Sequence, residues 1–352
     1  MRMRSVLMAV VWIPFVSASL FGTGQTETAP TEVFRVGVFV PGVVEGSPTY
    51  ELLTEGVQRA VDEKAGDNDD APSVTVKVVE GGFNQALWEQ GLTSMAASQE
   101  YDLVVSSNPE IPDIVDSITQ SFPTQRFLIM DAYRADNPSV HTVMFNQREQ
   151  AFLAGYFAGL VSTSDMSDRD GPVRAGLLVG QEYPIMNNVI LPGYEFGVRS
   201  VDPDASVDFR VLGNWYDAGR AAELADSMYA TGSDIILAIA GGGSQGVIAA
   251  ARDREKYVVW YDTNGLDQAP GVVIGSTYIA LDRAAYERTL AAIEGTLVYG
   301  EAEVLGVADG YVGFVQDDQL YRRHVSEAVR EAQAEIVARM ESGEFYLEMP
   351  LN

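Results

Sequence analysis

Two carboxylates stand directly after apolar runs that are predicted to be buried strands. Asp131 follows the run 127–130, and Asp262 follows the run 257–261. A carboxylate in this position can accept hydrogen bonds from sugar hydroxyls or from the N–H groups of a heterocycle. A helix cap or an ion pair within a loop is the alternative role that the sequence leaves open for both.

Aromatic residues follow other predicted strands. They are Tyr183, Trp215, Tyr216, Trp260 and Tyr261, and Tyr50 lies in the first turn of the opening helix. Each alone is more typical of a packed core than of a ligand contact. Together, at strand ends from both halves of the chain, they predict a cleft that stacks a flat ring, where stacking adds about 0.5–1.5 kcal/mol beyond area burial.

Two polar residues precede predicted helices in the first half. Ser47 is expected to cap the opening helix, with Pro48 at the first helical position, where a missing N–H costs nothing. Asn108 follows the run 103–107, and Pro109 after it favours a capping role. We expect both Ser47 and Asn108 to lie beside the ligand.

The run 241–246, Gly-Gly-Gly-Ser-Gln-Gly, follows a strand and opens a helix. It lacks the Lys-Ser/Thr of a P-loop, so a phosphate site is weakly indicated. A tight turn is one interpretation. In the other, Gly241 and Gly242 let a ligand approach the bare backbone and the helix N–H groups.

The composition gives no sign of catalysis or metal binding. The chain has no cysteine, and its two histidines, His141 and His324, are far apart. No nucleophile elbow, P-loop or zinc-protease motif occurs. We therefore assign no catalytic residue, no metal ligand and no cofactor, although carboxylates alone can hydrolyse a glycosidic bond.

Length and charge restrict the architecture and the partners. The chain has 352 residues, which suits two α/β lobes. Its net charge is −27, from 50 acidic and 23 basic residues. Such a surface repels nucleic acid and anionic lipid, so neither is an expected partner.

The first residues are predicted to be an export signal, with cleavage after Gly24 or, alternatively, after Ala18. Arg2 and Arg4 precede a short apolar segment at 6–15. An N-terminal membrane anchor is the other interpretation. Residues 25–32 resemble a polar tether. No lipobox cysteine is present, so we expect secretion to the periplasm or cell surface without a lipid anchor.

From residue 34 onward, strands and helices alternate. Predicted strands are 34–40, 74–79, 101–106, 126–130, 140–145, 173–179, 207–212, 234–240, 257–261 and 272–276. Predicted helices are 47–64, 85–98, 111–121, 149–161, 190–198, 218–229, 244–253, 281–294 and 326–341, with 306–315 extended. Near-continuous apolar strands such as 235–240 indicate parallel sheets buried on both faces. We predict an N-terminal lobe at 33–145, completed by about 265–300, and a C-terminal lobe at 146–264, completed by about 301–352.

The sequence resembles the basic membrane protein family of bacterial ABC-transporter substrate-binding proteins. The resemblance runs from about Phe34 to the end. The matching segments are 36–38 with 55–56, 127–131, 152–156, 193–198, 232–236, 241–246, and Ser276 with Asp282. It implies a type I periplasmic-binding-protein fold, which is two doubly wound parallel-sheet lobes with a ligand cleft between them.

In nucleoside-binding members of that family, aromatic rings stack the base and acidic residues at strand ends bind base and ribose. The resemblance places the ring on Trp215, the acids on Asp131 and Asp262, and the glycine contact on Gly241 and Gly242.

Two segments depart from the pattern of the nucleoside-binding members. The family's Asp-x-Ser-Phe-Asn is replaced by 46–50, so Tyr50 supplies a ring one turn earlier than expected. The Lys of the family's Ser-x-x-Lys is lost after Ser276. Riboflavin is bound by some spirochaete proteins similar to this family, and Tyr50, Tyr183 and Trp215 suit its three rings.

The resemblance therefore implies an extracytoplasmic solute-binding protein of an ABC importer. Riboflavin is narrowly preferred over a purine nucleoside as the ligand. The expected partner is an ABC permease in the inner membrane, and we expect a monomer. A nucleoside or sugar hydrolase, or a sensory receptor that presents its ligand to a signalling partner, are the alternatives.

Overall fold

The computed structural model describes residues 33–66, 73–167 and 171–351. The predicted signal peptide at 1–24 and tether at 25–32 lie outside the described residues. Within the described ranges, no helix combines the length and the hydropathy that a membrane span requires.

Strands and helices alternate through the first half of the chain, as predicted. The elements are β1 (Phe34–Val40), α1 (Pro48–Gly66), β2 (Val74–Glu80), α2 (Trp88–Ser98), β3 (Leu103–Ser107), α3 (Ile111–Ser121), β4 (Arg126–Met130) and β5 (Val140–Phe145). These strands are paired in parallel, and their central ones are buried on both faces. Val38 and Val105 lie in one apolar cluster, whereas Phe39 and Val104 lie in another. The apolar runs therefore form a sheet that helices cover on both sides.

The second half repeats this arrangement. Its elements are α4 (Gln147–Thr163), β6 (Arg174–Val179), α5 (Leu191–Val201), β7 (Ser206–Val211), α6 (Ala218–Ala230), β8 (Ile235–Ile239), α7 (Ser244–Asp253), β9 (Tyr257–Trp260) and β10 (Val273–Ile279). Helix α4 packs on strands of this sheet. Gly275 of β10 makes room for the ring of Phe157, because a Cβ there would lie 2.4 Å from that ring.

The last elements complete both sheets. They are α8 (Leu281–Ile293), β11 (Ala302–Leu305), β12 (Val312–Phe314), α9 (Gln319–His324) and α10 (Glu327–Glu341). The strand orders are β11-β5-β4-β3-β1-β2 and β12-β10-β9-β8-β6-β7. All pairs are parallel except β10 with β12. Two doubly wound lobes result, and the predicted fold is confirmed.

The allocation of the C-terminal segments differs from the expected one. Within the range 265–300, α8 packs on α1 of the first lobe, but β10 pairs with β9 in the second sheet. Within 301–352, β11 pairs with β5 in the first sheet. The predicted extended run 306–315 holds only β12, at 312–314. The reason is that the chain returns to the first lobe after β10 and crosses to the second lobe again after β11.

Three neighbouring crossings connect the lobes in the described part of the chain. They lie at Asn146 before α4, at Ala280 before α8, and at 306–311 between β11 and β12. Asn146 N donates to Leu305 O over 2.8 Å, and Ala280 N donates to Tyr311 O over 2.8 Å. The crossings start from β5, β10 and β11, which lie at or next to the same edge of their sheets. Strands β2 and β7 are the opposite edges of the two sheets, farthest from these crossings.

Candidate functional site

The two predicted carboxylates are brought together by the fold. Asp131 follows β4 of the first lobe and Asp262 follows β9 of the second. Both residues have left-handed backbone, with φ of 52° and 70°. Aspartate tolerates this conformation better than most residues because its short polar side chain bonds locally. The chain therefore turns sharply at both strand ends, and a carboxylate stands at each turn.

The first turn of α4 holds both carboxylates. Gln147 Nε2 donates to Asp131 Oδ1 over 2.8 Å, and Gln150 Nε2 donates to Asp262 Oδ1 over 3.1 Å. Residues three apart share a helix face. One helix, directly after a crossing between the lobes, thus fixes one acid from each lobe. We did not predict these glutamines; the only signal was two amides at the start of an otherwise apolar helix.

Burial changes the protonation of the acid pair. Desolvation, with a smaller contribution from the charge of Asp262, raises the pKa of Asp131 to about 7. Desolvation raises the pKa of Asp262 to about 6. The glutamine hydrogen bonds oppose both shifts. Near neutral pH, Asp131 can therefore donate as well as accept a hydrogen bond, whereas Asp262 is mainly an acceptor.

Two of the predicted aromatic residues form a ring pair in the second lobe. The rings of Tyr183 and Trp215 have centroids 6.4 Å apart and are tilted by 46°. Trp215 is 39% exposed, so part of its indole is open for stacking. Burial raises the pKa of Tyr183, and the charges of Asp262 and Asp131 raise it further. The Tyr183 hydroxyl thus lies close to both acids and remains a neutral donor.

Glycines position Trp215 from two sides. A Cβ on Gly180 would lie 2.4 Å from the Trp215 ring. Gly241 has φ of +54°, and a Cβ there would lie 2.8 Å from Trp215 O. Gly243 N donates to the same carbonyl oxygen over 3.3 Å. The tight-turn interpretation of the glycine run is correct, and Gly241 and Gly242 also leave exposed backbone beside Trp215.

Tyr50 packs against the loop that precedes α1 in the first lobe. Its hydroxyl donates to Pro41 O over 3.0 Å, and its ring packs where a Cβ on Gly42 would lie 2.9 Å away. Burial raises the pKa of Tyr50 to about 12, partly offset by a side-chain hydrogen bond with Asn108, and the charge of Asp131 adds to the increase. Tyr50, Asn108 and Asp131 therefore form one connected group in the first lobe.

The two predicted capping residues have local roles. Ser47 O accepts from Tyr50 N and Glu51 N over 2.9 and 3.0 Å, which begins α1 at Pro48. Asn108 Oδ1 accepts from Glu110 N over 2.9 Å, which leaves its amide nitrogen for the Tyr50 hydroxyl. Asn108 thus joins the acid group, whereas the described contacts of Ser47 belong to the helix start.

The remaining strand-end aromatics lie in different places. Trp260 packs within its own lobe, since its Nε1 donates to Thr263 Oγ1 over 3.1 Å and its ring covers Gly265. Tyr261 is buried, and Asp262 is the charge that most raises its pKa after burial itself. Tyr216 is 80% exposed. Tyr261 therefore belongs to the buried surroundings of Asp262, whereas the Tyr216 side chain is exposed to solvent.

The described residues include no group of three or more histidine or acidic side chains arranged to hold a metal ion. The site as built can stack a ring on Trp215 and satisfy several hydrogen-bond donors at Asp131 and Asp262. These are the capabilities of a binding site for an uncharged, hydroxyl-bearing heterocycle.

Comparison with known proteins agrees with this architecture. A crystal structure of an ABC transporter solute-binding protein from Aeropyrum pernix K1 superposes with a TM-score of 0.77 at 19% identity, covering 91% of this chain and 94% of that one. Basic membrane protein A of Borreliella burgdorferi is 23% identical over 95% of this chain and 94% of its own length.

Other relatives match over a shorter length. The chain spans 62% of the CD4+ T-cell-stimulating antigen of Listeria innocua, at 25% identity over 55% of this chain. It spans 42% of the ABC transporter nucleoside-binding protein BmpA of Lactococcus lactis, at 27% identity over 45% of this chain.

The family model described as "ABC transporter substrate-binding protein PnrA-like" matches residues 33–344, which is nearly all of the described chain. The chain belongs to this family of PnrA-like ABC transporter substrate-binding proteins.

Proposed function

We propose that this protein captures riboflavin outside the cytoplasmic membrane and delivers it to an ABC permease. The observation that carries this proposal is the convergence of Asp131 and Asp262, from different lobes, beside the Tyr183–Trp215 ring pair. A ligand that satisfies all four must have a broad flat ring and several hydrogen-bond donors.

Riboflavin has both features. Its three-ring isoalloxazine has enough surface to contact Trp215, Tyr183 and, from the other lobe, Tyr50. Its pyrimidine edge has one N–H between two carbonyl oxygens, which suits a carboxyl that both donates and accepts, as Asp131 does near neutral pH. Its ribityl hydroxyls are donors for a carboxylate such as Asp262.

A purine nucleoside is the second candidate. It is supported by the Lactococcus lactis relative, which is described as a nucleoside-binding protein. Against it stand the two departures noted in the sequence. Around Ser276, where the family's Lys would follow, the chain is part of β10, and Ser276 Oγ accepts from Gly265 N over 3.0 Å in a buried position. This segment therefore belongs to the sheet of the second lobe and provides no positively charged side chain for a ligand.

Delivery requires the lobes to close around the ligand. The three crossings at Asn146, Ala280 and 306–311 form a hinge of the kind about which such lobes rotate. A permease would recognise the closed shape. A ligand-presenting sensory receptor would use the same closure. Disruption of the partner permease distinguishes the two roles, because uptake of the ligand then stops whereas signalling by a receptor continues.

Intrinsic fluorescence tests the ligand. Riboflavin should quench tryptophan emission at about 1 μM or lower, which corresponds to roughly 8 kcal/mol of binding. Trp215→Phe should remove most of the quenching. Trp88→Phe is the matched control, since Trp88 is buried and its Nε1 donates to Gly82 O over 2.8 Å. Quenching by a purine nucleoside alone would assign the site to the second candidate, and release of free base would indicate the hydrolase.

A further inference from the structure

Two large aromatic side chains are exposed at the free edges of the cleft. Phe83 follows β2 and is 79% exposed, and Tyr216 follows β7 and is 80% exposed. We call residues 81–87 the first lip and residues 213–217 the second lip. Neither Phe83 nor Tyr216 has a role in the binding site described above.

The sheet order places the two lips opposite the hinge. Strands β2 and β7 are the edge strands on the side away from β5, β10, β11 and β12, from which all three crossings leave. Both lips lie at the carboxyl ends of their strands, as Asp131 and Asp262 do. A rotation about the hinge therefore moves the lips through the largest arc of any part of the cleft.

The first lip has a fixed backbone. Gly82 N donates to Gly42 O over 2.9 Å, which ties the lip to the loop before α1. Trp88 Nε1 donates to Gly82 O over 2.8 Å. Asn84 Oδ1 accepts from Ala86 N over 3.3 Å. The Phe83 ring is therefore held outward by a well-bonded loop.

The second lip is equally well bonded. Asn214 Oδ1 accepts from Tyr216 N over 3.0 Å and from Asp217 N over 2.8 Å. Asp217 then caps α6 by accepting from Arg220 N over 2.9 Å. Tyr216 is thus presented on an ordered turn directly beside Trp215, which belongs to the ligand wall.

We propose that Phe83 and Tyr216 meet when the lobes close and cover the outer edge of the bound ring. This inference rests on the proposed function for the ligand, but the contact between the lips is a property of closure itself. Exposed rings on fixed loops lose apolar contact with water when they pair, and an aromatic pair adds stabilisation beyond area burial. The lips would then slow ligand release and make no contact in the open state.

The absence of cysteine in the chain allows a direct test. Phe83→Cys combined with Tyr216→Cys introduces two unique thiols, and disulfide formation under mild oxidation reports their encounter. The control pair is Phe83→Cys with Phe196→Cys. Phe196 is 43% exposed but packs on Phe152 of α4, the helix that follows a crossing. The lip pair should cross-link at least tenfold faster than the control pair, and faster again with saturating riboflavin.

The rate of ligand dissociation provides a second test, which needs no introduced cysteine. Phe83→Ala and Tyr216→Ala should each raise the riboflavin dissociation rate by about 3- to 10-fold, as the loss of one aromatic pair implies. The double variant should be no faster than the faster single variant, because either change already removes the pair.

The possible failures are distinguishable. If the wild-type chain does not bind riboflavin, the ligand assignment fails, and cross-linking is then compared without ligand and with a purine nucleoside. Equal rates for the lip pair and the control pair in all conditions would overturn the contact between the lips. Additive or absent effects on dissociation, in a wild-type chain that binds riboflavin, would overturn their role in retaining it.

Discussion

Asp131 and Asp262 belong to different lobes, yet the charge of Asp262 contributes to raising the pKa of Asp131. Each is held by its own glutamine from the first turn of α4. Two acids in this relationship repel one another and lose hydration. Under the proposed function, a ligand that donates a hydrogen bond to both acids relieves this cost and thereby couples binding to lobe closure.

Replacing either acid by its amide should weaken binding. Asn preserves the shape and tolerates the left-handed backbone at both positions. Asp262→Asn should reduce riboflavin affinity by about 1–3 kcal/mol, the cost of leaving a ligand donor without its acceptor, whereas Asp131→Asn keeps one donor and one acceptor for the pyrimidine edge and should cost less. Isothermal titration calorimetry measures this. Asp226→Asn is the control, because Asp226 pairs with Arg254 on the surface; equal losses in all three variants would contradict specific contacts.

Asp131→Asn should also stabilise the unliganded protein. The pKa of Asp131 is raised from 3.8 to about 7 on folding, so stability falls as pH rises from about 4 to 7. Asp131→Asn removes this dependence. At pH 8 the variant should be more stable by on the order of 1–3 kcal/mol, with the difference vanishing below about pH 4.

Urea unfolding at pH 4, 6 and 8 measures this difference. Asp226→Asn again serves as the control, and its effect should have the opposite sign, since Arg254 lowers the pKa of Asp226. A destabilised Asp131→Asn at pH 8, or a difference that does not change with pH, would show that Asp131 is not strained by its burial.

Gly180→Ala should weaken binding without touching the ligand. The new Cβ would lie 2.4 Å from the Trp215 ring, which must move. We expect about a tenfold loss of riboflavin affinity, or roughly 1.4 kcal/mol. Gly219→Ala is the matched control on α6, where a Cβ meets only Asp217 Oδ1 at 3.5 Å. An affinity that is unchanged in Gly180→Ala would remove Trp215 from the stacking role.

Tyr50 should act mainly through its ring. Tyr50→Ala should weaken a stacked ligand by about 1–3 kcal/mol. Tyr50→Phe keeps the ring and loses only the bonds to Pro41 O and Asn108. Its cost should be about 0.5–1.5 kcal/mol. Flavin fluorescence titration compares the riboflavin affinities of the two variants. Equal losses of affinity would show that the hydroxyl, and not the ring, contributes to binding.

Phosphorylated ligands should bind poorly. Asp262 and the ionised fraction of Asp131 place negative charge at the two strand ends, and the chain as a whole carries −27. Riboflavin 5′-phosphate should therefore bind at least about tenfold more weakly than riboflavin, with the gap narrowing at high salt. Competition titration at low and high salt measures this. Equal affinity at low salt would place the ribityl end away from both acids.

Sequence reasoning reached the fold because strands such as 235–239 are continuously apolar and helices intervene regularly. It placed Asp131, Asp262 and Trp215 correctly at strand ends. It missed Gln147 and Gln150, since an amide at a helix start has no distinctive pattern until a partner from another strand is known. It also assigned β10 and β11 to the wrong lobes, because a crossing is decided by pairing between distant strands.

Native mass spectrometry with an equimolar mixture of riboflavin and a purine nucleoside tests the central claim most directly. One riboflavin should occupy the wild-type chain in preference to the nucleoside, and Asp262→Asn and Trp215→Ala should each lose it while Asp226→Asn retains it. Occupancy by the nucleoside alone, or riboflavin retained equally in all variants, would contradict a flavin site built from these acids and rings.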